Sequence, residues 1–170
     1  MADTPITLTQ LNQATAADAA EWLRPCCASR RWLDEIIRLR PYGNRSELRA
    51  HSDTVLAALP WEDVREAIDA HPRIGERAGG ADTESAWSRA EQSSAATQDQ
   101  QTQADLVDRN RRYEERFGHV FLICATGLSA KDILDALDQR LANSPEDERV
   151  VVRDELTRIV ALRIDKLVIT

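Results

Sequence analysis

The chain has 170 residues, 42% hydrophobic and 30% charged, the balance of an ordinary globular domain long enough to bury a real core. Twenty-nine acidic side chains against 22 basic ones give a formal net charge of −7, which argues against a dedicated nucleic-acid binder yet leaves room for an anionic small molecule held by a few local arginines. The three cysteines, Cys26, Cys27 and Cys124, make neither a disulfide framework nor a metal-binding spacing, and no signal-like start or membrane-length apolar run is present, so the expected setting is a reducing cytosol, away from membranes.

Thr9 to Asn12 reads as a short lead-in. Thr15 suits an N-cap for a helix through Trp22 and Leu23 that stops before Pro25. Ser29 caps the next, with Trp32, Leu33, Ile36, Ile37 and Leu39 on one face. Arg40-Pro41-Tyr42-Gly43 breaks the chain, and Ser46 starts a helix that turns Leu48, Val55, Leu56 and Leu59 inward. Pro60 opens a helix running to Ala70 or His71, because Pro72 disfavours helical geometry in the residue before it. From Arg77 to Gln103 the composition turns to Ala, Gly, Ser, Thr, Gln and Asp. A structureless loop of that length is uncommon in a compact domain, so a short helix is expected over Glu84 to Ser93, capped by Asp82 or Thr83, with Trp87 inward. A long amphipathic helix is expected from Ala104 to Phe117, with Ala104, Leu106, Val107, Tyr113 and Phe117 on its apolar face and Gly118 as its stop. His119 to Ala125 is the one strand-like run and reads as a buried extended segment. Ser129 caps a helix through Leu141, and Pro145 starts the last helix, with an apolar stripe of Val151, Val152, Leu156, Ile159, Val160, Leu162, Ile164 and Leu167. The fold class is all-α, a single-domain bundle of about seven to nine helices over residues 1–170.

No glycine-rich phosphate loop is present, and His51, His71 and His119 lack zinc spacing, so neither a metal nor an organic cofactor is expected. Cys124 reads as a core residue rather than a nucleophile. Cofactor-free acid–base chemistry is what remains. Its candidate is His71, on a helix end with a glycine-rich stretch after it; a C-terminal cap favoured by the helix dipole is the plainer reading of the same residue. Ser88, Glu91 and Gln92 share one helix face, which fits a polyamide ligand or simply a solvated surface. Arg163, beside an apolar stripe, either snorkels outward or forks onto a carboxylate.

Together, His71-Pro72-Arg73-Ile74-Gly75, Ser88-x-x-Glu91-Gln92-Ser93, Phe117-Gly118-x-x-Phe121-x-Ile123-Cys124-Ala125 and Arg163 resemble the 2-oxo-4-hydroxy-4-carboxy-5-ureidoimidazoline (OHCU) decarboxylase family, which acts third on the route from urate to allantoin. The resemblance runs from about Leu8 to Leu167. It implies an all-helical, cofactor-free homodimer acting on a small ureide. It makes His71 the catalytic acid/base and Glu91 its partner at the site. Pro72, Ser88, Arg89, Ala90, Gln92 and Arg163 would bind substrate, and Phe121, Leu122, Ile123, Cys124 and Ala125 would offer it backbone groups. One departure is plain: the family often reads Phe-Gly-Phe-Pro-Phe where this chain has Phe117-Gly118-His119-Val120-Phe121. The chemistry suits the missing cofactor, since the substrate's own C=N bond can accept the electron pair left by CO2. Two other functions fit the residues: a helical adaptor using the apolar stripe of the last helix, and a lyase for another ureide.

Overall fold

A computed structural model describes residues 4–75, 83–95 and 99–169. Among these residues it contains nine α-helices: α1 (Leu8–Gln13), α2 (Ala16–Leu23), α3 (Arg30–Arg38), α4 (Arg45–Ala58), α5 (Trp61–Asp69), α6 (Thr83–Glu91), α7 (Gln100–Phe117), α8 (Ala130–Leu141) and α9 (Pro145–Leu167). A parallel pair of two-residue strands, β1 (Ile6–Thr7) and β2 (Val168–Ile169), completes it. The all-α expectation holds. The strand pair was not expected, because two residues at either end of a chain carry no periodicity.

Local chemistry sets most helix ends. The side chains of Thr15, Ser29 and Ser129 each accept the backbone N–H three residues on, as expected. Thr7 and Gln10 form a reciprocal capping box, which turns the expected lead-in into α1. Asn44 rather than Ser46 caps α4. Asp99 caps α7, which therefore begins at Gln100 rather than Ala104, and Gly118 ends it at φ 77°, a left-handed conformation that favours glycine.

The chain divides into two compact units, Met1–Ala67 with Thr157–Thr170, and Ile68–Leu156. In the first, Trp32 is fully buried and its indole N–H reaches Ser52 Oγ at 3.0 Å. Arg40 donates to the carbonyls of Leu11 and Ala14 at 2.6 and 2.9 Å, tying the break after α3 back to α1. The second unit is organised around Ile74, Ala95, Leu106, Tyr113, Phe121, Ile123, Ala125, Ala130, Ile133 and Leu137.

Several inward faces differ from the periodic reading. The buried side of α7 is Leu106, Asn110 and Tyr113, while Ala104 and Val107 are exposed. On α6, Trp87 is half-buried and the fully covered residues are Thr83, Ser88 and Glu91; Asp82, the other expected cap, lies outside the described residues. On α9, Val152, Leu156, Ile159, Val160, Ile164 and Leu167 are buried and Leu162 is exposed. The stripe an adaptor would present is thus covered within the fold. No described helix is long and apolar enough to cross a membrane.

Candidate active site

The site is built from three stretches of the second unit. The first follows α5. The His71 N–H closes a last turn onto the Ile68 carbonyl at 2.9 Å, and Pro72 then takes the chain out of the helix. His71 and Pro72 are half-buried. The next residues are held from both sides. Ile74 is buried in the core cluster. Asn110 Nδ2 donates to the Ile74 carbonyl at 3.0 Å, and Gln103 Nε2 to the Gly75 carbonyl at 3.2 Å. Arg73 grips Glu114 with two hydrogen bonds of 2.5 and 3.1 Å. Gly75 has φ 86°, and a Cβ there would meet Gln103 Nε2 at 3.3 Å, so backbone geometry and the clamp both select glycine. A histidine with α5 behind it and a four-point clamp after it is held as a working side chain should be.

The second stretch is α6. Ser88 and Glu91, one turn apart, are 3% and 9% exposed. The solvated-face reading therefore fails: this helix turns a hydroxyl and a carboxylate inward, and burying such groups is costly unless something polar meets them. Gln92 is half-buried, and its Oε1 accepts the Gly75 N–H at 3.3 Å, which joins α6 to the His71 segment and leaves the amide NH2 as a donor. Arg89 and Ala90 are exposed and lie off this buried face.

The third stretch is residues 119–125, irregular and almost entirely buried as expected. Phe121, Ile123 and Ala125 belong to the same cluster as Ile74. The Leu122 carbonyl accepts from Arg140 Nη1 at 2.7 Å, and the Cys124 N–H donates to Glu155 Oε2 at 2.8 Å. His119 is buried against Tyr113 and Phe117, with Nδ1 3.0 Å from the Val120 carbonyl, so it packs in an aromatic cluster where the family often has phenylalanine.

Arg163 belongs to the first unit. It is fully buried and donates Nη1 to the Pro25 carbonyl at 2.9 Å, which rules out snorkelling. Sequence reasoning placed Tyr113 inward, as found, but missed Arg140, Glu148 and Glu155. Glu148 is fully buried, accepts hydrogen bonds from the Tyr113 hydroxyl, from Arg140 Nε at 2.8 Å and from Asn143 Nδ2 at 2.8 Å. Burial and the Glu148 hydrogen bond push the Tyr113 pKa up. The signal was available: Arg140 continues the spacing of Ile133 and Leu137, and Glu148 that of Val152 and Leu156. No group of three or more His, Cys, Asp or Glu suited to a metal ion occurs among the described residues.

A buried polar helix face, a clamped helix-end histidine and an irregular segment in one compact unit mark a small-molecule enzyme rather than a scaffold. The chain belongs to the OHCU decarboxylase family, whose sequence profile matches residues 12–165. It is 31% identical over 131 residues to the 2-oxo-4-hydroxy-4-carboxy-5-ureidoimidazoline decarboxylase of Amia calva, covering 76% of this chain and 75% of that protein. It is 30% identical over 150 residues to the uric acid degradation bifunctional protein TTL of Arabidopsis thaliana, covering 86% of this chain but only 46% of that longer protein. A crystal structure of OHCU decarboxylase in the presence of (S)-allantoin matches with a TM-score of 0.75 at 29% identity, over 87% of this chain and 96% of that one. A structure of (S)-allantoin synthase, at 17% identity and TM-score 0.74, shares the fold over 98% of this chain and 55% of that one.

Proposed function

We propose that this protein converts OHCU to (S)-allantoin and CO2 without a cofactor, the third step of urate degradation. The observation that carries the proposal is the Gln92–Gly75 hydrogen bond, which joins the His71 segment to the helix that buries Ser88 and Glu91. In the reaction, the bond from the ring carbon to its carboxylate breaks and CO2 leaves. The electron pair enters the adjoining C=N, whose nitrogen takes a proton. The hydroxyl then loses its proton as C=O forms, and the neighbouring carbon is protonated on one face. His71 handles the proton work, for imidazole is the side chain whose ordinary pKa lies closest to neutrality. Glu91 orients it and, with Ser88 and Gln92, binds the ureide. The family resemblance assigns Arg163 the carboxylate.

The same proposal makes the enzyme a cytosolic homodimer. No disulfide joins Cys26, Cys27 and Cys124 among the described residues, which suits a reducing compartment. Light scattering should give twice the 19.1 kDa chain mass; a monomer would remove the dimer. The activity is tested by generating OHCU in place from urate with two preceding enzymes, and following its absorbance and circular dichroism. Rapid appearance of one allantoin enantiomer, slowed at least about a hundredfold by His71→Ala, is expected. Decay at the buffer rate with racemic product would sink the reading.

A further inference from the structure

Residues 120–125 run without turn or bend, and the one strand pair among the described residues does not include them. Buried backbone groups need partners, and here side chains supply them. Arg140 on α8 donates to the Leu122 carbonyl at 2.7 Å, and Glu155 on α9 accepts the Cys124 N–H at 2.8 Å. In an extended chain the N–H and C=O of every second residue leave along the same edge. Leu122 and Cys124 therefore share the edge that is tied to the helices, and Ile123 presents its backbone groups on the other. Neither group of Ile123 meets a hydrogen-bond partner among the described residues, although the side chain is buried in the core cluster. Arg140 is itself fixed, with Nε on Glu148 at 2.8 Å and its guanidinium carbon 4.4 Å from the centre of the Phe121 ring.

We propose that Glu155 and Arg140 are positioning residues: they hold the 121–125 segment by one edge, so that Ile123 on the other edge presents its N–H and C=O to the amide groups of the ureide. This inference rests on the decarboxylase reading and adds the side chains that aim its binding backbone. A grip on a binding group acts on affinity more than on chemistry, so its loss should appear in KM rather than kcat.

The test compares Glu155→Ala with Glu155→Gln, using OHCU generated in place and hydrogen exchange at the Cys124 amide. Glutamine keeps an oxygen acceptor, so KM should stay within about threefold of wild type, whereas alanine should raise KM about tenfold with kcat within about threefold and faster Cys124 exchange. Glu155 is half-buried, so alanine opens little space; if that variant does not fold, Glu155→Asp, shorter by one methylene, should show the same rise in KM. An unchanged KM despite faster Cys124 exchange overturns the proposal, as does equal impairment by alanine and glutamine. Failure of the parent reading looks different, because wild type itself then leaves OHCU decay at the buffer rate, and the inference falls with it.

Discussion

Arg140 and Glu148 form an ion pair inside the second unit, Nε to Oε1 at 2.8 Å, with Glu148 wholly inaccessible to solvent and Arg140 7% exposed. Each stands where helical spacing calls for an aliphatic side chain. Such a pair survives burial only when its other donors and acceptors are met. Here the Tyr113 hydroxyl and Asn143 meet the carboxylate, while the Leu122 carbonyl and the Phe121 ring face meet the guanidinium. Arg140 therefore both neutralises Glu148 and anchors the segment assigned to substrate binding.

Arg140→Met should destabilise the protein by about 3–5 kcal/mol, because Glu148 then keeps its burial and loses its cation. Adding Glu148→Met should recover part of that loss, since an apolar pair of similar volume leaves no unpaired charge. Urea unfolding of wild type, both single variants and the double variant measures this. A double variant no more stable than the worse single would show that the hydrogen-bond network, rather than the isolated charge, carries the cost.

Gly75→Ala should cost about 1–3 kcal/mol, because φ 86° is a conformation an L-residue adopts only under strain. The added Cβ also presses on Gln103 and loosens the clamp after His71. Activity per folded molecule should fall about tenfold or more, since small displacements of a catalytic group are expensive. Thermal melts and kinetics on the same sample separate the two effects; strain without loss of turnover would mean that the clamp does not place His71.

What was legible in the chain is what chemistry settles within a turn or two. Thr15, Ser29 and Ser129 each cap the helix they precede, Gly118 stops α7, and Pro145 opens α9. The His71, Ser88–Gln92 and 121–125 motifs were legible through family resemblance, and the fold places all three in one unit. Periodicity failed where a polar residue faces inward. It assigned Val107 to the core of α7, because Asn110, which donates to the Ile74 carbonyl, occupies a position that an apolar count discards. It ranked Trp87 above Ser88 and Glu91 for the same reason. The carbonyl that satisfies Asn110 lies 36 residues away in the chain, and no local pattern encodes it.

The folded state should weaken steeply in strong alkali. Tyr42 is buried, its hydroxyl donates to the Ile36 carbonyl at 2.7 Å, and burial pushes its pKa up from 10 to about 12. Below about pH 10 the folded and unfolded states both hold the proton, so the group has no effect on the balance. Between about 10 and 12 only the unfolded state releases it, and stability falls by up to about 1.4 kcal/mol per pH unit for such a group. Tyr113, shifted the same way, adds to the loss. Urea midpoints at about pH 9 and pH 11 should drop less in Tyr42→Phe than in wild type; equal drops would mean that Tyr42 titrates as an exposed phenol.

Arg163→Gln tests the assignment of substrate carboxylate to a residue that also holds the fold. Arg163 is fully buried and donates to the Pro25 carbonyl, so loss of that charge-assisted hydrogen bond should cost about 1.5–3 kcal/mol of stability whatever the ligand. If its guanidinium also receives the substrate's carboxylate, the variant should bind OHCU at least about tenfold more weakly, because a neutral amide cannot replace a forked cation. Allantoin has lost that carboxylate, so its affinity for the variant should stay near that for wild type. Calorimetric titration with allantoin beside the KM for OHCU separates the two roles. Parallel weakening of both ligands would assign Arg163 to shaping the fold alone, and weakening confined to the carboxylated substrate would place the charge at the bond that breaks.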